Sequence, residues 1–309
     1  MFRNIRLYRT ATPWPETEEE LSQSLAEQSF VPCGAFSEKS GGWEPPTNDD
    51  NGLFCRRLAG ADLLQLRTQT RVLPPAAVKE ALETRVAEYR QRMAQDPPRS
   101  ELRRLKEQTR DELVPKSLVK SDRIRGFYLK DESILGIETA TPANAEWFID
   151  HLRNALGRLH CSPLTFEKSP LELMSKVFMG RPVANFDLGR ECRMQSRLDN
   201  RSIVTWRDLD LDDDSIRHHL TEGMQLTHLG MNYDNILSLV LSTDCVISKF
   251  KFFEGEAVDT TDDEDPLARQ DADFVLLTGT MKRMLQGLAR ELGAFAPVTK
   301  QAGETSNSR

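Results

Sequence analysis

The sequence lacks most of what a membrane protein, a disulfide-stapled protein or a metalloenzyme needs. No run approaches the roughly 18 apolar residues of a membrane span. The five cysteines (Cys33, Cys55, Cys161, Cys192, Cys245) are odd in number and scattered, with no CxxC pair. That excludes a disulfide framework and zinc-ribbon spacing, and fits free thiols in a reducing cytoplasm. The opening residues, Met1 to Leu7, alternate like a strand and carry no apolar core of a secretory signal, so no signal peptide is expected. There is no P-loop, GxGxxG, GxSxG, EF-hand or HExxH pattern. No recognition-helix pattern, zinc finger or RNP aromatic motif appears, so base-specific readout is not expected. The five histidines do not pair recognisably with a nucleophile. Cys33, in Phe30-Val31-Pro32-Cys33-Gly34, is better read as a packed turn residue than as a nucleophile. The sequence therefore points away from an enzyme and from a cofactor or metal.

What the chain does have is a charge reversal. The whole carries 41 Lys+Arg against 48 Asp+Glu, a net charge of −7. Between Lys79 and Lys130 fourteen bases face nine acids, a local excess of +5 that leaves −12 for the rest. A confined basic field in an acidic chain fits a polyanion held at one place and repelled elsewhere. Arg99, Arg103, Lys106 and Arg110 follow spacings of four, three and four, which puts them on one helix face, broadened by Arg104. Lys116 and Lys120 continue the basic run. Interleaved acids (Glu80, Glu83, Glu88, Glu101, Glu107) leave a solvated face laced with ion pairs as an equal reading. Arg190, Arg193, Arg197 and Arg201 run at three, four and four, and Arg207 follows. From Lys176 to Arg207 seven bases meet three acids, so two basic faces are expected to line two sides of one cleft. The chemistry implied is contact with phosphates, without sequence preference.

Asp208, Asp210, Asp212, Asp213 and Asp214, near His218 and His219, are the one acidic set that could serve a two-metal nuclease. Neighbouring residues on a helix point apart, so helix-start acids facing the dipole are the better reading. The acidic run 259–265 reads as a solvated loop.

Length and pattern predict an α+β chain of several small sheet-plus-helix subdomains with a projecting helical-hairpin arm. Residues 1–75 read as an N-terminal α+β unit, with a strand near Ile5, a capped helix from Thr17, loops at 41–46 and 48–52, and short strands at 53–55 and 63–67. Residues 76–125 read as the basic arm: an apolar stripe of Val78, Leu82, Val86, Tyr89 and Met93, a break at Asp96-Pro97-Pro98, and a second helix ended by Pro115. Residues 126–297 read as a second α+β region, with a strand pair, helices from Pro142 and Leu171, a strand at Ile203–Trp206, a short helix after Asp212, a three-stranded meander and a long helix over 268–292. Residues 298–309 read as a disordered tail.

The stretches Phe30-Val31-Pro32-Cys33-Gly34, Gly42-Trp43-Glu44-Pro45-Pro46, Val72-Leu73-Pro74-Pro75 through Leu82, and Asp271 through Gly279 resemble, in the same order and over nearly the whole length, the bacterial recombination-associated protein RdgC family. The resemblance implies a two-fold symmetric, ring-shaped homodimer whose basic hole encircles double-stranded DNA. It also implies antagonism with RecA recombinase by restraining strand exchange, and a cytoplasmic, nucleoid-associated place. Two contact points carry over by resemblance. Val114-Pro115-Lys116-Ser117-Leu118 matches a motif whose terminal Phe closes one dimer interface, with Leu118 in the Phe position. Trp206-Arg207 before Asp208-Leu209 matches a Lys-Gln pair near the second interface or the DNA. The alternatives are a metal-dependent nuclease using the 208–214 acids, and a recombinase-binding scaffold whose basic arm binds an acidic partner.

Overall fold

The computed structural model describes residues 2–47, 52–183, 185–199, 201–253 and 265–298. Its elements are β1 (Ile5–Thr10), α1 (Glu18–Ala26), β2 (Lys39–Trp43), β3 (Cys55–Leu58), β4 (Ala61–Val72), α2 (Pro75–Met93), α3 (Arg99–Leu113), β5 (Leu118–Leu129), β6 (Ile134–Glu138), α4 (Pro142–Leu156), β7 (Cys161–Pro163), α5 (Pro170–Phe178), β8 (Phe186–Ser196), β9 (Ile203–Trp206), α6 (Asp214–Thr221), β10 (Met224–Tyr233), β11 (Leu237–Ser242), β12 (Ile247–Phe252) and α7 (Pro266–Leu292). The chain is mixed helix and sheet, as the pattern predicts. Among the described residues no helix is long and apolar enough to cross a membrane.

Helix starts follow local chemistry. Thr17 Oγ1 accepts from the Glu20 N–H at 3.1 Å while the Glu20 carboxylate returns to the Thr17 N–H at 3.4 Å, closing a capping box on α1. Proline opens α2, α4, α5 and α7, where its missing N–H costs nothing.

Two compact units result, discontinuous in sequence: residues 1–27, 45–65 and 125–309 in the first, and 28–44 and 66–124 in the second. The first contains the antiparallel order β5-β6-β1-β12-β11-β10-β8-β9, with β7 beside β1 and the β3–β4 hairpin. Alternation assigns its faces. Leu237, Leu239 and Leu241 of β11 join Phe274, Leu277, Met281 and Leu285 of α7 in one buried cluster. Tyr128 of β5 stacks on Trp14 with ring centroids 3.7 Å apart. Asp62, 1% exposed, accepts from Trp14 Nε1 at 2.7 Å and from two Arg57 nitrogens at 2.6 and 2.9 Å, so this buried charge is fully partnered.

The second unit contains the order β2-β4-β5 together with α2 and α3. Gly41-Gly42-Trp43 is strand, not loop: a Cβ on Gly42 would stand 2.4 Å from Phe30 Cα, so glycine serves a close backbone approach. The hairpin before β4 turns at Ala59-Gly60 (φ 49° and 75°), and β4 runs twelve residues. Strand β5 begins at Leu118, eight residues before Gly126. Asn48 to Asn51, positions 259–264 of the acidic loop and 299–309 of the tail lie outside the described residues.

Candidate nucleic-acid interface

Helices α2 and α3 pack as a pair. Tyr89 and Thr109 are its buried members, and Arg85 bonds Glu112 across it. Met93 of the expected apolar stripe and Leu102 of α3 remain 49% and 40% exposed, so the pair buries a narrow seam. At about 100° per residue, Lys106, Arg99, Arg110 and Arg103 fall within an arc of about 60° that contains no acid. All four are exposed.

The structure divides these bases by partner. Arg103 donates to Glu107 at 3.2 Å and Arg104 to Glu101 at 2.7 Å, both exposed helix pairs. Lys120 lies 2.8 Å from Asp122. Arg110 forks onto Glu38 at 2.6 and 2.8 Å. That bond holds the Glu38 carboxyl below its ordinary range and raises Arg110. The pair's contribution is present above the ordinary carboxylate range and is lost as pH falls through the lowered value. Arg99, Lys106 and Lys116 have no ion-pair partner among the described residues.

The segment carrying Leu118 is pinned by Arg71, a residue the sequence did not single out. Its guanidinium donates to Val114 O at 3.1 Å, Ser117 O at 3.3 Å and Gly34 O at 3.0 Å. Residues 118–123 of β5 are all exposed, with Leu118 at 80%. An exposed strand end with apolar side chains is a template for pairing with another chain.

In the first unit Arg190 and Arg193 lie on strand β8, not on a helix, so a spacing of three does not align them. Arg197 and Arg201 follow in the β8–β9 connection. Arg193 sits opposite Thr205 and His228, on the face turned away from the fully buried Cys192 and Met194. Ser238 and Lys251 lie opposite each other on the same face of β11 and β12. Glu191 bonds Lys249 and stands 3.8 Å from Arg207, which fixes two bases beside this face. Lys249 and Lys251 escaped the sequence reading because only the folded chain relates them to β8: Lys249 reaches it through Glu191, and Lys251 is registered with Ser238. Burial, then the Arg193 charge, pushes His228 below its ordinary pKa, so at neutral pH it adds no charge, and acidification below that ordinary value works against the fold here. Trp206 packs on the core with its ring 5.1 Å from that of His219.

Arg190 donates to Asp208 O at 3.0 Å and lines a cleft of about 330 Å³ with Asp210, Asp212 and Arg217. The acids there are engaged locally. Asp213 caps α6 by accepting from the Ser215 N–H at 2.8 Å, which lowers its pKa. Asp212 pairs with Arg217, and Asp210 accepts from the Asp212 N–H at 3.0 Å. Among the described residues no group of three or more His, Cys, Asp or Glu is placed to hold a metal. Burial pushes the Cys55, Cys192 and Cys245 thiols up to about 12 and Cys161 to about 11, so these four are packing groups.

Comparison with known proteins adds the following. A family model described as "Putative exonuclease, RdgC" matches residues 1–295. The recombination-associated protein RdgC of Cupriavidus necator is 30% identical over 296 residues, covering 94% of this chain and 98% of its own. That of Cupriavidus pinatubonensis is 31% identical over 297 residues, with the same coverage. That of Sodalis glossinidius is 28% identical over 300 residues, covering 96% and 98%.

Proposed function

The chain belongs to the RdgC family of recombination-associated proteins, and from that premise we propose that it is a non-sequence-specific double-stranded DNA-binding protein. In this reading it encircles the duplex as a homodimer at the nucleoid and restrains RecA-type strand exchange by occupying the substrate. The observation that carries the reading is the exposed arc of Arg99, Arg103, Lys106 and Arg110, within which α3 places no acid of its own, in a chain of net charge −7. The α2–α3 pair is the arm that presents these bases. Arg104, Lys116 and Lys120 flank them, and the β8 region adds Arg190, Arg193, Arg197 and Arg207. A two-fold dimer supplies two copies of each surface about one axis. Leu118, at the exposed end of β5, closes one interface. Trp206, packed on the core of its own chain, supports a neighbouring surface at the second.

Fixed cations release the counterions condensed on DNA, so affinity must fall with salt. A duplex titration between 50 and 200 mM salt is expected to lose about 10³-fold in affinity if about six phosphates are neutralised. Affinity that stays flat across this range contradicts the reading.

The word exonuclease in the family model's description favours testing one rival. A nuclease using Asp208 to Asp214 predicts magnesium-dependent loss of DNA ends. The proposed reading predicts bound, intact duplex under the same conditions. A recombinase-binding scaffold would instead hold its partner when challenged with excess plain duplex.

A further inference from the structure

Leu198 is the most exposed large apolar side chain among the described residues, at 99%. It sits in the connection between β8 and β9. A leucine in a slack loop would fold back onto apolar surface, but here the backbone is held. Ser196 Oγ accepts from the N–H groups of Leu198 and Asp199 at 3.2 and 3.3 Å. Asp199 accepts from the Arg201 N–H at 2.9 Å and the Ser202 hydroxyl at 3.1 Å, so both its carboxylate oxygens are engaged. The Ser196 N–H donates to Ser202 O at 2.9 Å, and the Arg197 N–H braces the connection against Gly223 O at 3.2 Å. Arg197 and Arg201 flank the leucine, exposed, with no side-chain ion pair among the described residues.

An apolar knob between two unpaired cations at the β8–β9 connection matches one partner chemistry well. Apolar side chains enter base steps from the minor groove, unstack them and kink the duplex, while neighbouring arginines hold the phosphates or the groove. A purely apolar protein partner would leave both arginines without a counterpart. We infer that Leu198 is a wedge that enters a base step of double-stranded DNA from the minor groove, with Arg197 and Arg201 anchoring the backbone on either side. The inference deepens the duplex-binding reading and rests on it. Because the wedge reads deformability, it acts best at flexible pyrimidine–purine steps such as TA.

The test titrates the full chain onto a duplex with 2-aminopurine beside a single TA step and end-to-end fluorophores, following anisotropy, 2-aminopurine emission and energy transfer together. The wild type is expected to raise 2-aminopurine emission and shorten the end-to-end distance. Leu198→Ser is expected to keep affinity within about threefold, since phosphate contacts dominate it, and to lose both signals. Leu198→Phe is expected to retain them. If Leu198→Ser unstacks and bends as the wild type does, or if the wild type binds with no rise in emission, the wedge is refuted while duplex binding stands. If neither protein shifts the anisotropy, the duplex-binding reading fails first and the wedge with it.

Discussion

Replacing Arg99, Arg103 and Lys106 together by alanine is expected to lower duplex affinity about a hundredfold or more at low salt, for every sequence alike, and to flatten the log–log salt slope by about 2.7 for each protomer that engages the duplex. The size follows from three lost phosphate contacts in each protomer. The uniformity follows because phosphates carry no base information. The helix itself should be unharmed: alanine is the best helix former, and among the described residues the side-chain bond lost is the exposed Arg103–Glu107 pair, worth about 0.5 kcal/mol at most. Circular dichroism and the urea midpoint should therefore match the wild type. The choice of residues matters. Arg110 lies in the same arc but is forked onto Glu38, so changing it mixes a loss of DNA contact with a local rearrangement. If the triple variant binds within about twofold of wild type across the salt range, α3 is not the DNA face.

A second large effect is expected at Leu118. The side chain is 80% exposed at the start of β5, directly after the segment whose Val114 and Ser117 carbonyls Arg71 binds. An isolated protomer gains nothing from an apolar group there, so Leu118→Asp should leave the fold unchanged. In the proposed dimer the same change puts a carboxylate into an apolar contact, a desolvation cost of several kcal/mol for each copy. Sedimentation at low micromolar concentration should shift from dimer to monomer, with retention on DNA falling as the ring opens. A Leu118→Asp protein that still sediments as the wild-type dimer would remove this residue from the interface.

How much was legible beforehand depended on whether the signal was local. The capping box at Thr17, the proline that opens α4 and the meander from Met224 to Phe252 were readable because cap chemistry and alternation are written into neighbouring residues. The leading half of β5 was not. Leu118 to Arg123 is exposed on both faces, so it carries no alternation, and its strand character comes from pairing with β4, where Thr68 bonds Asp122 O and Gln69 bonds Ser121. Strand β8 was hidden for another reason. Its arginines mimic helical spacing, and two bulges against β10 break the two-residue period. The glycines of β2 read as a loop because a close backbone approach and a loop ask for the same residue. Nor could a linear division find a unit that joins residues 28–44 to 66–124. At the candidate site the α3 stripe was visible from spacing. The Arg103–Glu107 and Arg104–Glu101 pairs are local and were open to the sequence, whereas the fork of Arg110 onto Glu38, the Glu191 bridge and the grip of Arg71 depend on contacts between residues distant in sequence.

The central claim is that the protein closes around duplex DNA and holds it through phosphates. The most direct measurement loads it at low salt onto a closed circle and onto the same sequence linearised, then raises the salt and follows what remains bound. The account predicts retention on the circle under conditions that strip the linear form, because a closed ring leaves only by sliding off an end. Equal loss from both would contradict encirclement and leave an open electrostatic groove in its place.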